Sequence, residues 1–334
     1  MKRTTQYVKA KTDWLVACPQ ACIVVSMDTS AERLIISHTS ALELYRQLRA
    51  SAEWVPGATP LTDAREMLAA LPRPVHVLGE TPPSHGLRHG LARHRCSTPA
   101  SDDSICLVAP GVYATRPEVC LAQLSRGQEA ALVVALAMEM CGTYARKACQ
   151  DRTAYGLPPI TSVSRLGDFV RDNPGRPGVN LIRRILPYVL DGSASPAETI
   201  LHELISLPTC WGGAGLEAGA SNYRVDIRGT SGLADQDEVV FDLCWPRHGI
   251  VVEYDGRRYH DGFPNIEHDA ARRNAVVALG MSLYTITRAQ LYDIGYIDRL
   301  CATLAKSIKS RGLRIQVQNY EEKRRHLHSI LLNK

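Results

Sequence analysis

The sequence predicts a mixed α/β chain, of the α+β kind, built as two domains. Three observations carry that expectation. β-branched runs flank a short turn: Glu238–Trp245 and Ile250–Val252, about Pro246-Arg247-His248-Gly249, read as an antiparallel hairpin. A helix pattern follows over Ile266–Leu279 and closes at Gly280. The chain has 334 residues, more than one domain usually holds, and Asp191-Gly192-Ser193-Ala194-Ser195-Pro196 is a run of turn formers. A boundary is expected near residue 192.

Composition narrows the function classes. A hydrophobic content of 45% with 22% charge is that of a globular protein with ample core. No run approaches 18 apolar residues, so no membrane partner is expected. The start, MKRTTQYVKAKTDW, is basic without an apolar stretch behind it, which implies a cytoplasmic protein. The net charge of +5 suits a nucleic-acid partner without specifying one. Ten cysteines are scattered in apolar context, and no second close pair joins Cys18 and Cys22 to complete a zinc set. Buried free thiols are expected, as in a reducing compartment.

In the first half, Arg33–Tyr45 shifts from a short strand into a helix, and helix patterns cover Ala41–Ala50 and Leu61–Leu71. Arg73–Leu78 reads as a strand. Thr81–Thr98 is rich in His and Arg, but no acid or thiol beyond Cys96 completes a ligand set, so a solvated loop leading into a strand is expected. Ser104–Thr115 gives two short strands around Pro110-Gly111. Pro117 opens a helix, as proline suits the first turn, and Gln128–Tyr144 is an apolar core helix. The helical stretch Ser162–Leu190 breaks at Asn173-Pro174-Gly175 and Pro177-Gly178. Arg171, Arg176, Arg183 and Arg184 gather near the break, either as a solvated face or as contacts to a phosphate backbone.

In the second half, Ser195 and Pro196 cap a helix that carries Glu198. The Gly-rich Leu207–Gly219 lacks the Lys-Ser/Thr of a phosphate-binding loop. Strands are expected at Asn222–Gly229 and Ser282–Thr287, and helices at Arg288–Tyr292 and Ile294–Ser310. The tail, residues 312–334, is basic and amphipathic, suited to a packing helix or to an arm facing a duplex.

The chemistry concentrates on the hairpin. Glu253 and Asp255 share one face of their strand because the side-chain period is two, and Asp242 on the paired strand comes near it. Three converging carboxylates repel one another unless a cation sits among them, and a hard divalent ion with oxygen ligands is the usual solution. Magnesium fits, with manganese as its substitute. His260, with an ordinary pKa near ~6.5, can activate water or hold a phosphate oxygen. Arg257, Arg258, Arg272 and Arg273 are candidates for contacts to backbone phosphates. Asp269 and Arg272, three apart on one helical face, suit an ion pair equally well.

At these residues the chain resembles a known family. Asp242, the E-x-D-G of Glu253, Asp255 and Gly256, His260, the D-x-x-R of Asp269 and Arg272, and Leu279-Gly280 are similar to the PD-(D/E)XK nucleases, nearest the Vsr-like (very-short-patch-repair) endonucleases. The resemblance spans about 193–311. It implies a restriction-endonuclease-like mixed sheet flanked by helices, and magnesium-dependent cleavage of DNA in defence or repair. It makes Asp242 and Glu253 metal ligands and His260 the catalytic histidine. Glu198, in the S-P-x-E of Ser195, Pro196 and Glu198, becomes a further acid at the same metal. Asp255 stands where the wider superfamily has its Lys. Residues 1–192 resemble AbiEi-type antitoxin and regulator proteins through His38-Thr39-Ser40-Ala41-Leu42, Pro74–Val77 and Val112–Leu124. That second likeness implies a separate α+β domain, a toxin or regulatory protein partner, and an alternative function as a non-catalytic DNA-binding regulator or antitoxin.

Overall fold

The computed structural model describes residues 34–50, 65–79, 90–95, 102–149, 152–227, 238–256, 273–274, 276–308 and 315–333. It has mixed helix and strand content with parallel and antiparallel pairing, as the sequence predicts. The chain divides into two compact units. One comprises Met1–Gly127 with Ala145–Ile182, the other Gln128–Tyr144 with Arg183–Lys334. The chain thus crosses between units three times, whereas the sequence suggested a single boundary near 192.

In the first unit, strand β1 (Leu34–Ile36) runs into helix α1 (His38–Ala50). Helix α2 (Arg65–Ala70), β2 (Val75–Gly79), β3 (Leu91–Arg95), β4 (Ile105–Ala109), β5 (Val112–Thr115) and α3 (Pro117–Leu124) follow. The five strands form one sheet in the order β3-β2-β1-β5-β4. β3 is therefore an edge, paired parallel to β2 through Leu78↔His94 among others. The apolar face of α1 supplies Leu44, Tyr45 and Leu48, each at most 1% exposed. The Tyr45 hydroxyl donates to Thr115 O at 2.8 Å, which satisfies a polar tip inside the core.

Helix α4 (Ala130–Cys141) belongs to the second unit, and its apolar sequence is that of a core element. β6 (Tyr144–Cys149) and β7 (Arg152–Tyr155) make a two-stranded sheet. Helices α5 (Val163–Asp172) and α6 (Val179–Ile185) flank the break read from the prolines and glycines. Ser162 caps α5, its hydroxyl accepting from Arg165 N. Arg171 is paired with Asp168 at 2.7 Å.

The second unit is built on a four-stranded sheet, β11-β10-β9-β8, and on helix α7 (Pro196–Ser206). β8 (Ala220–Asp226) pairs antiparallel with β9 (Glu238–Trp245), which pairs antiparallel with β10 (Ile250–Asp255). β10 pairs parallel with β11 (Ser282–Thr287). The expected hairpin is present; its turn is one 3₁₀ turn over Pro246–His248 closed by Gly249 at φ +60. Phe241, Val239, Cys244 and Val251 form the core under the sheet together with Val276, from the described part of the helix expected over Ile266–Leu279.

After β11 come α8 (Arg288–Tyr292), capped by a Thr287/Gln290 capping box, and α9 (Ile294–Ile308). The basic tail forms helix α10 (Tyr320–Leu332), and it packs. Arg324 is 2% exposed. Its guanidinium donates to Asp298 Oδ1 at 2.9 Å, Leu204 O at 2.6 Å and Gly212 O at 3.1 Å. The Gly-rich loop exists to admit this helix: Gly212 is left-handed at φ +92, and a Cβ there would collide with the Lys323 carbonyl. Among the described residues no helix is long and apolar enough to cross a membrane.

Candidate active site on the four-stranded sheet

The register of the sheet brings the predicted acids together. Ser221 and Tyr223 pair with Leu243 and Phe241, so Asn222 stands across from Asp242. Val252 pairs with Leu243, and the same offset carries Glu253 across from Asp242 on the other side. Glu253 in turn pairs with Thr285. Extending the two registers by one residue sets Asn222 and Glu253 on either side of Asp242, with Thr285 next in the row beside Glu253.

At this row the β9–β10 ladder changes character. The Tyr254 backbone N–H donates to Asp242 Oδ2 at 2.7 Å, so the carboxylate lies against the Glu253–Tyr254 peptide. A charge-assisted bond of this length fixes the Asp242 side chain where β10 ends. Asp242, Glu253 and Asp255 are all half-buried. Asp255 closes the strand opposite Thr287, the residue that caps α8.

Glu198 reaches the row from α7. Ser195 accepts from Glu198 N at 3.2 Å, and Glu198 Oε2 accepts from Ala194 N at 2.9 Å, so the carboxylate clasps the loop before its own helix. Burial raises the Glu198 pKa, partly offset by hydrogen bonds from Ala194, Ser195 and Asn222. Asn222 is left-handed, at φ +45, and its amide also donates to Gly192 O. It thus touches both the loop before α7 and Glu198 while standing across from Asp242. Asn222 is the site residue that sequence reasoning missed. Its sequence signal was only an Asn at the start of a strand run, a residue type that tolerates positive φ.

Arg273 is exposed. Arg257, Arg258, His260 and Arg272, with His268 and Asp269, lie outside the described residues. Among the described residues, no group of three His, Cys, Asp or Glu side chains is arranged to hold a metal ion. Asp242 and Glu253 supply the hard oxygen donors, and magnesium is commonly held by one or two carboxylates while it keeps several waters. The donor chemistry therefore fits that ion, while the third acid, Glu198, is already committed through one oxygen to Ala194.

Four of the described cysteines, Cys120, Cys141, Cys244 and Cys301, are buried thiols as the sequence suggests, while Cys106 is half-buried and Cys210 is exposed. Burial pushes Cys120 up to about 12, so its thiol stays protonated.

No protein-family model, no curated protein and no solved structure matches this chain.

Proposed function

We propose that the protein is a metal-dependent DNA endonuclease of the PD-(D/E)XK, Vsr-like kind, working in the cytoplasm in defence or repair. The observation that carries this reading is the row Asn222–Asp242–Glu253, with Glu198 joined to it through Asn222. Asp242 and Glu253, on neighbouring strands, would supply the carboxylates that seat a cation in phosphodiester hydrolysis, with Glu198 beside them through Asn222. When bound, magnesium, or manganese in its place, supplies charge neutralisation at the phosphate and a more acidic water. Asp242 and Glu253 would hold the ion. Tyr254 N–H keeps the Asp242 carboxylate in place, and Glu198 adds negative charge beside Asn222. His260 is assigned to proton transfer, and Arg257, Arg258, Arg272 and Arg273 to DNA phosphates, on sequence grounds. The first unit is assigned to DNA or protein partner contacts.

A second reading has its own observation. Glu198 Oε2 is occupied by Ala194 N, and Asp255 stands in place of a Lys. Both suit a DNA-binding regulator or antitoxin that keeps the fold without the chemistry and acts with a toxin or regulatory protein. Nicking of supercoiled plasmid by the full chain in magnesium, abolished by chelator, supports the endonuclease. DNA binding without nicking in magnesium or manganese supports the regulator.

A further inference from the structure

Three histidines far apart in sequence meet in the first unit. His76 Nδ1 and His94 Nε2 are 2.7 Å apart, and the two rings are nearly parallel at 14° with centroids at 5.0 Å. That separation is what two imidazoles reach when they meet nitrogen to nitrogen, with the gap on the line between centres. The lone pair of one ring points at the N–H of the other, so they share a proton and do not converge on a third point. Among the described residues no group of three such side chains is arranged to hold a metal ion, in keeping with this geometry. His38 lies face to face on His94, with centroids 3.8 Å apart at 24°.

The three rings join three separate pieces of backbone. His38 opens α1 in a left-handed conformation at φ +52. Its N–H donates to Gln123 Oε1 at 3.0 Å, its carbonyl accepts from Cys120 Sγ at 3.3 Å, and its Nδ1 meets Ser37 Oγ at 3.0 Å. His76 is on β2, where its N–H donates to Ser40 Oγ at 2.9 Å and its carbonyl accepts from Ser37 N at 2.9 Å. His94 is on the edge strand β3. Side-chain contact through His94 thus adds to the backbone ladder that holds β3.

We propose that His38, His76 and His94 form a proton-operated latch, which fastens edge strand β3 to β2 and to the start of α1 when the rings are neutral and releases it on acidification. The charges around the cluster give it no compensation. Arg126 acts on His38, and the exposed Arg93 and Arg95 flank His94 on β3. On α1, Glu43 is paired with Arg46 at 2.6 Å, and on α3, Glu118 is held by Thr161 and Arg165. The Cys120 thiol is uncharged. Burial first, then His94, His76 and Arg126, bring the His38 pKa down to about 4. Burial lowers His76 and His94 as well, with His76 adding to the shift of His94. The unfolded rings therefore bind protons more readily than the folded ones. The latch is fully closed above about pH 6.5 and loses its contribution as pH falls from there toward the lowered values. Opening it would bare the edge of β2, a template for another strand.

The test is hydrogen–deuterium exchange of the full chain at pH 7.0 and 5.0, corrected for intrinsic exchange. Protection over 91–95 should fall by about tenfold or more at pH 5.0, the equivalent of one pKa unit. In His94→Phe, which keeps a flat ring on His38 but takes no proton, most of that response should vanish. His76→Gln, which still hydrogen-bonds to His94, should also shrink it and guards against a misfolded first variant. His85 and His89 are untouched in both variants, so loss of the response in either one assigns it to the latch. Equal protection at both pH values in the wild type, or the full response in both variants, would overturn the proposal.

Discussion

The Tyr254 amide and the Asp242 carboxylate, 2.7 Å apart, tie the end of β10 to the middle of β9 where ordinary ladder pairing gives way. A side-chain oxygen does there what a backbone carbonyl does elsewhere in the sheet. Asp242→Asn keeps an acceptor for that amide, and its stability should stay close to wild type. Asp242→Ala removes the acceptor and should cost about 1 kcal/mol. Urea unfolding of the two variants checks the difference, and equal loss in both would show that the bond is not what matters to the fold.

Glu198 makes a pH-dependent contribution. Its folded pKa is raised by burial, so its part in stability is fully present below the unfolded value near 4.5 and is lost as pH rises through the folded value. Glu198→Gln retains an acceptor for Ala194 N without the charge. The variant should therefore gain on wild type as pH rises from 4.5 to 8 in paired urea titrations. A gap that stays constant across this range would mean that the charge is not penalised in the fold.

The tail helix is part of the core of its unit. Arg324→Ala would leave Gly212 O without its donor, take one of two donors from Leu204 O, which keeps Ala214 N, and remove the bond to Asp298. A loss of about 2 kcal/mol is expected, from one abandoned buried carbonyl and the lost charge-assisted bonds. Chemical denaturation measures it. A loss below about 1 kcal/mol would show that water reaches the Gly212 carbonyl once the side chain is gone.

Much of this fold was legible because local signals agreed with one another. Glu238–Trp245 alternates and is followed by Pro246 and Gly249, so propensity, pattern and turn chemistry all pointed to the observed hairpin. Ser195-Pro196 likewise marked a helix start that the structure bears out, and the helix expected at Arg288–Tyr292 is present. What sequence left open was contact between distant segments. His38, His76 and His94 lie 38 and 18 residues apart, and only the parallel pairing of β2 with β3 brings the last two together. The Thr81–Thr98 stretch was expected as a solvated loop leading into a strand, but Leu91–Arg95 within it is itself strand β3, and that strand delivers His94. The basic tail was ambiguous because an amphipathic helix suits a core groove or a duplex equally. The buried Arg324 decides for the groove. Asn222 was invisible since its importance comes from standing across from Asp242, a matter of register. His260 and the arginines at 257, 258 and 272 lie outside the described residues, so that part of the site rests on the sequence.

The most direct measurement of the central claim is plasmid nicking by purified wild type and Asp242→Asn in magnesium, with a DNA-binding titration on the same preparations. Asn keeps the acceptor for Tyr254 N–H but removes the negative charge that would hold the cation. The endonuclease reading predicts nicking by wild type, a fall of at least about 100-fold in the variant, and DNA binding that is retained or strengthened. Equal nicking by the two proteins, or binding by both with nicking by neither, would contradict it.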